Sequence, residues 1–230
     1  MFETTRRDGI IQARREGARW LSTAWDGGYR AADAAYNVAV PTAFERTDLD
    51  AYRHERLASA DFPVGPTLLT GVGMCHARCA RSGPVAVLAT AGLSNPVALP
   101  VGAEAGTTVE TSDDQWRPGT VNLVVGVDRA LDDGGLATLL ATAVEAKAAT
   151  LLSVTDAPGT TSDAVLAGTV PTAERADFAG SATEVGAAAR ACVRDAVLAS
   201  LRSRYDDAPP AVADAEYGVV TDRQTDVRAP

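Results

Sequence analysis

Lysine is almost missing from this sequence. Of 21 basic residues 20 are arginine, and Lys147 is the single lysine among 230 residues. Histidine occurs only as His54 and His76, so imidazole acid–base chemistry has two places to come from. Cysteine occurs three times, as Cys75, Cys79 and Cys192. An odd count in a mid-sized chain argues against a disulfide framework and reads as reduced thiols, which fits a cytoplasmic location. Aromatic residues make up 5% of the chain. With so few, each one is wanted first for the core. No run of about 18 apolar residues occurs, so no membrane-spanning helix is expected. No apolar stretch follows Met1-Phe2-Glu3-Thr4-Thr5-Arg6-Arg7, so no secretory leader is expected either.

Acid is what the chain has in excess. There are 30 Asp and Glu residues for a net charge of -9, with Asp outnumbering Glu 20 to 10, and Ala fills 45 positions. Such a surface repels phosphate backbones and anionic lipid, which excludes nucleic acid and membranes as first-choice partners. Low lysine with high Asp and Ala matches a surface adapted to high salt, where a Debye length of about 3 Å at 1 M removes mutual repulsion. At 46% hydrophobic and 22% charged, the chain can bury a sizeable core. From Tyr205 onward it turns Pro- and acid-rich, with six acids against two Arg. A single domain over 1–204 and a mobile tail over 205–230 are expected.

Residues 18–24 and 36–40 read as strands around the turn Asp26-Gly27-Gly28. Thr47 to Ala60 reads as a short helix capped at Thr47 or Asp48. Thr67 to Arg78 and Pro84 to Gly92 read as strands of a hairpin turning at Arg81-Ser82-Gly83. A Gly/Thr/Asp-rich loop is expected over 102–118, then a buried strand over Thr120–Asp128. Asp132 or Asp133 caps a long helix to about Leu152. Ala164–Val170 reads as a strand and Glu184–Arg204 as a helix. Strict βαβ alternation is absent. The expected fold class is therefore α/β in mixed α+β layers, with mixed sheets packed against long helices and not a simple Rossmann fold.

Familiar motifs fail. Gly71-Val72-Gly73 lacks the third glycine of a dinucleotide fingerprint, since position 76 is His. No glycine-rich phosphate loop precedes Lys147, and no Gly-x-Ser-x-Gly elbow occurs. Cys75 and Cys79 on one strand would lie roughly 13 Å apart, too far for one ion. No metal and no cofactor are expected. Cys192 shares a helical face with Val185, Ala188, Ala189 and Ala196 and reads as core.

The helix from 133 to 152 carries the most informative residue. At about 100° per residue, Leu136, Leu140, Ala143, Val144 and Leu151 fall in one arc, and Lys147 falls in its middle. Glu145 points the other way, so the two are no surface ion pair. An inward lysine needs an acid partner, a route to solvent for its head, or a pocket to line.

Several ordered segments resemble a known family. They are Leu21-Ser22-Thr23-Ala24 with Gly27-Gly28, Tyr36-Asn37-Val38, Gly71-Val72-Gly73-Met74 and Thr90-Ala91-Gly92-Leu93-Ser94-Asn95. Gly119 to Val125, Thr142 to Ala149, Gly159 to Asp163 and Phe178 to Thr183 follow. Together they resemble the adenosylcobinamide amidohydrolases (the CbiZ type) over residues 20 to 200. The resemblance implies hydrolysis of the amide joining the aminopropanol arm to the corrin ring, giving adenosylcobyric acid for cobalamin salvage. Its implied partner is a small-molecule corrinoid, adenosylcobinamide, with a homo-oligomer as an open alternative to a monomer. The chain departs from the family pattern at Ala182, where the family has His nearby, and at His76, where it has a small or hydroxyl residue.

Two histidines outside any triad argue against Ser-His-Asp chemistry. Gly119-Thr120 opening a buried strand, then Asp128-Arg129-Ala130-Leu131, is similar to the nucleophile segment of ornithine acetyltransferases and of the L-aminopeptidase/D-Ala-esterase family. There a Ser or Thr freed by self-cleavage attacks an amide or ester, which would make Thr120 the nucleophile. Asn122 shares the face of Thr120 and, with Asn95, is a candidate to hold the oxyanion. Lys147 and Glu145 complete the candidate catalytic set, and water attack promoted by Glu145 or Asp163 is the alternative route. Ser22, Trp25, Asn37, Asn95 and Asp163 are the candidate substrate-binding residues. A non-enzymatic corrinoid binder, or an aminopeptidase- or acyltransferase-like enzyme, are the other readings of the same residues.

Overall fold

Strands that alternate inward and outward side chains build two sheets that face each other, and helices close both outer faces. The computed structural model describes residues 1–42, 44–100, 119–212, 215, 218–221 and 225–229. The loop expected over 102–118 lies outside them. The first sheet joins β1 (Glu3–Arg7), β2 (Ile10–Arg14), β5 (Ala34–Ala39) and β6 (Thr67–Thr70) in the order β1-β2-β5-β6. The second takes β3 (Arg19–Ser22), β4 (Gly28–Ala31), β7 (Arg78–Ser82), β8 (Val85–Ala91), β10 (Val121–Val127) and β12 (Val165–Thr169). Its order is β4-β3-β12-β10-β8-β7, with β10 parallel to β12 and antiparallel to β8. A small sheet of β9 (Pro96–Ala98), β11 (Gly159–Thr160) and β13 (Val219–Val220) stands apart from these two.

β8 and β10 are apolar over most of their length because both of their faces are covered. Val85, Val87 and Ala89, with Val121, Leu123 and Val125, pack on α2 (Asp133–Leu152) and α3 (Glu184–Arg204). Ala86, Leu88, Val124 and Leu166 turn the other way, onto Ile11, Ala13, Ala35 and Leu68 of the first sheet. The outer face of that sheet packs Ile10, Tyr36 and Val38 on Leu57 and Ala60, at the end of α1 (Leu49–Ser59). The fold is thus mixed α+β layers in the order helices, sheet, sheet, helix. Among the described residues α2 is long and apolar enough to cross a membrane by length and composition. Here that apolarity is spent on packing, since Leu136, Leu139, Ala143, Ala146 and Leu151 are buried in the main core.

The long helices begin as their caps dictate: Asp132 Oδ1 accepts the Gly135 N–H and Thr183 Oγ1 accepts the Gly186 N–H. The single strand expected from Thr67 to Arg78 is a correction. β6 ends at Thr70, a 3₁₀ turn spans Met74–His76, and β7 starts at Arg78. The chain must break there, because β6 belongs to one sheet and β7 to the other. Cys75 lies on that turn and Cys79 on the edge strand, both exposed. Cys192 is buried in the main core, and burial pushes its thiol pKa up. An N-terminal hairpin was not expected: β1 and β2 pair around Asp8-Gly9, both at positive φ (49° and 73°). Beyond Arg204 the described residues touch the body at several points. Tyr205 Oη accepts the Leu93 N–H at 2.9 Å, the Val212 N–H donates to Asp156 at 3.0 Å, and β13 pairs with β9.

Candidate active site

The start of β10 gathers most of the polar groups that the sequence singles out. Alternation along the strand sends Thr120 and Asn122 into the space between the two sheets, while Val121 faces the helices. Thr120 is fully buried and its hydroxyl donates to Thr70 Oγ1, which also accepts the Val72 N–H at 3.1 Å. Asn122 Nδ2 donates to Asn37 Oδ1 at 3.1 Å and to the Leu69 carbonyl at 2.9 Å, and its Oδ1 accepts the Ala164 N–H at 3.2 Å. Asn37 Nδ2 continues the chain to Thr90 Oγ1 at 2.9 Å. Each of these five side chains has at most 1% of its surface exposed. A buried polar network this completely paired fixes its members in place.

On the helix side of the same strand, Asp163 is saturated with donors. Its Oδ1 accepts the Val121 N–H at 2.7 Å and the Thr160 hydroxyl at 2.5 Å. Its Oδ2 accepts the Thr160 N–H at 3.1 Å and an ion pair from Lys147 Nζ. Lys147 therefore lies on the inward face of α2 with a carboxylate on the loop before β12 as its partner, but the buried face is rotated from the expected arc: Val144 is exposed, and Leu139, Thr142 and Ala146 are buried instead. Gly159 permits this approach, because a Cβ there would stand 2.5 Å from Asp163 Oδ2 and 3.0 Å from Lys147 Nζ. Asn95 completes the surround. Its Nδ2 donates to Thr161 Oγ1, its carbonyl accepts the Thr161 N–H at 3.2 Å, and a Cβ on Gly119 would meet its Oδ1 at 2.3 Å. Thr120, Asn122, Asn37, Asp163, Lys147 and Asn95 thus converge on Gly119-Thr120-Val121.

Glu145, Ser22 and Trp25 stand elsewhere. Glu145 is exposed on the outer side of α2 and pairs with Arg190 of α3 at 2.7 Å. Ser22 ends β3 with its hydroxyl accepting the Ala24 N–H at 3.1 Å. With Trp25 it lines a cleft of about 420 Å³ that also involves Asp50, Arg53, His54 and Thr67. Trp25 is 59% exposed there, whereas Trp20 and Tyr36 are core. Neither histidine is hydrogen-bonded to Thr120: His54 is exposed on α1, and His76 Nδ1 shares a hydrogen bond with Ser203 Oγ at 3.2 Å. Among the described residues no three His, Cys, Asp or Glu side chains gather as a metal cluster.

Thr70, Thr90 and Thr160 belong to the site and were not singled out from the sequence. Thr90 and Thr160 lie inside the segments Thr90 to Asn95 and Gly159 to Asp163 that carry the family resemblance, which was the signal available for them. Thr70 shares the inward face of β6 with Leu68, and only the pairing of two sheets brings it to Thr120.

The family model described as "Adenosylcobinamide amidohydrolase" (CbiZ) matches residues 1–209. A curated protein of Halobacterium salinarum named "Adenosylcobinamide amidohydrolase" is 52% identical over 233 residues, covering 100% of both chains. Among solved structures, the PH0078 protein from Pyrococcus horikoshii OT3 is similar at 12% identity and a TM-score of 0.44, over 87% of this chain and 79% of that one.

Proposed function

The chain belongs to the adenosylcobinamide amidohydrolase family, and we propose that it carries out that hydrolysis with Thr120 as the nucleophile. The protein is a hydrolase of the amide bond. The bond cut is the one joining the aminopropanol arm to the corrin side chain, and adenosylcobyric acid and aminopropanol are the products. The observation that carries the nucleophile is the hydroxyl of Thr120, the residue just before the central strand β10, held by Thr70 Oγ1 and preceded by the tightly packed Gly119.

Thr120 Oγ1 attacks the amide carbon and loses its proton to a base. The tetrahedral centre collapses, the C–N bond breaks, and the nitrogen takes that proton and leaves as aminopropanol. Water then cleaves the threonyl ester, which frees the carboxylate and restores the hydroxyl. No imidazole or carboxylate is hydrogen-bonded to Thr120 Oγ1 among the described residues. The base is instead the α-amino group of Thr120, freed when Thr120 Oγ1 takes the Gly119 acyl group from its own nitrogen and water hydrolyses that ester to a Gly119 carboxylate and the restored hydroxyl; such an amine has an ordinary pKa of about 7.7–8.0. Asp163 has four donors on its two oxygens and is not available to take a proton. It and Lys147 position the Thr120–Val121 backbone. Asn122 spends both amide hydrogens on Asn37 and Leu69, so its part is to hold the strand, and not to stabilise an oxyanion. The cleft with Ser22 and the exposed Trp25 offers a flat aromatic face to the corrin or adenosyl group.

Incubation with adenosylcobinamide should release aminopropanol and adenosylcobyric acid in equal amounts. Intact-mass analysis should recover the chain as two fragments, the second beginning at Thr120. An uncut chain that turns over removes the α-amine from the mechanism, and tight binding without release sinks the hydrolysis.

A further inference from the structure

Arg204, the last residue of α3, reaches back to Gly92, just past the end of β8 and beside the strand that follows the nucleophile. The pairing of β8 with β10 continues one residue past β8, where the Gly92 N–H donates to the Thr120 carbonyl at 3.0 Å, so Gly92 lies directly across from Thr120. Residues opposed in an antiparallel pair point to the same face, so the missing side chain of Gly92 is on the side of the Thr120 hydroxyl. Two groups occupy that space. Val72 Cγ2 is 2.7 Å from where a Cβ would stand, and the Arg204 guanidinium is at 3.3 Å (Nε) and 3.4 Å (Cζ). Opposed Cβ positions are about 4.5–5.5 Å apart, which brings this guanidinium within roughly 9 Å of the Thr120 Cβ.

The Arg204 guanidinium lies 5.6 Å from the centroid of the Tyr205 ring. Among the described residues no carboxylate forms a salt bridge with it, and its Nε makes one long bond, 3.3 Å to Tyr205 Oη. That same hydroxyl accepts the Leu93 N–H, which anchors the end of α3 to the end of β8. A guanidinium has five N–H donors in a planar fork suited to a carboxylate. Lys147, the cation that reaches the start of β10 from α2, is neutralised by Asp163. In a chain of net charge -9, Arg204 is thus, among the described residues near Thr120, a cation free to receive negative charge.

We propose that Arg204 binds the carboxylate that amide hydrolysis creates on the corrin side chain. The inference rests on Thr120 marking the position of the reacting carbonyl. The test is equilibrium binding of adenosylcobyric acid and of its methyl ester at one fixed salt concentration. The ester keeps the corrinoid and removes the charge. The unaltered protein should bind the acid more tightly than the ester. Arg204→Met should weaken the acid at least tenfold and the ester less than twofold, with Arg204→Lys in between. Equal losses for acid and ester in Arg204→Met, or an acid affinity unchanged from the unaltered protein, would overturn the proposal. If Arg204→Met does not fold, absence of any acid-over-ester preference in the unaltered protein overturns it alone. Binding of finished product needs no nucleophile. A fully active Thr120→Ala protein that still prefers the acid would therefore remove Thr120 from the chemistry and leave Arg204 in its role.

Discussion

Lys147 on α2 is ion-paired with Asp163 on the loop before β12, with only 8% and 11% of the two side chains exposed. The pair joins the helix layer to the first peptide of β10 through the Val121 N–H. Removing one member of a buried pair leaves an uncompensated charge, at a cost of about 3–5 kcal/mol. Lys147→Met should lose stability on this scale in denaturant melts at constant KCl. Lys147→Met combined with Asp163→Asn should recover part of the loss, because it buries no lone charge.

Gly159 makes room for that pair. A methyl group there would overlap Asp163 Oδ2 at 2.5 Å, so Gly159→Ala should cost about 1–3 kcal/mol, the usual penalty for overpacking. Gly180 has nothing within 4 Å of its Cβ position, so Gly180→Ala serves as the silent control in the same melts.

Asn122 supports the Thr120 strand through three hydrogen bonds. Asn122→Leu leaves the Ala164 N–H, the Leu69 carbonyl and Asn37 Oδ1 without those partners. Each such orphan costs about 1–3 kcal/mol. The variant should melt earlier than the unaltered protein, and its activity should fall with the loosening of β10.

Much of this architecture was readable because local signals agreed with one another. The start of α2 behind Asp132 follows from its cap, and α3 from Glu184 to Arg204 from the apolar face shared by Val185, Ala188, Ala189, Cys192 and Ala196. The inward place of Lys147 follows from helical angle alone. Other parts had no local signature. Every residue of β1 is exposed, so Glu3–Arg7 shows no alternation to read, although Asp8-Gly9 is a hairpin turn in plain sight. The break between β6 and β7 and the meeting of Thr70 with Thr120 are consequences of one sheet lying on another. That register is carried by residues about 50 positions apart, since the separation is 50 in sequence for this pair. Glu145, Ser22 and Trp25 were grouped with Thr120 by their segments, but Glu145 lies on the outer side of α2, and Ser22, two strands from β10 on the same sheet, opens with Trp25 onto a separate cleft.

The surface charges give a pH and salt signature. Hydrogen bonds from Arg46 hold the Asp48 and Glu55 carboxyls below their usual range. A depressed folded-state pKa contributes stability above the unfolded value of about 4, and that contribution is lost as pH falls through the lower folded value. The gap in Tm between the unaltered protein and Arg46→Ala should be open at pH 6 and closed near pH 2. It should shrink in molar KCl, where exposed pairs are screened. The net charge of -9 predicts in turn that Tm at pH 7 rises from low to high KCl.

The most direct test of Thr120 as nucleophile is steady-state release of aminopropanol from adenosylcobinamide by Thr120→Ala and Thr120→Ser, with melting curves to verify folding. The account predicts a loss of about 10³-fold or more for Ala, on the scale seen when a nucleophile is deleted, with partial activity for Ser. A folded Thr120→Ala protein that releases aminopropanol at the unaltered rate would contradict it.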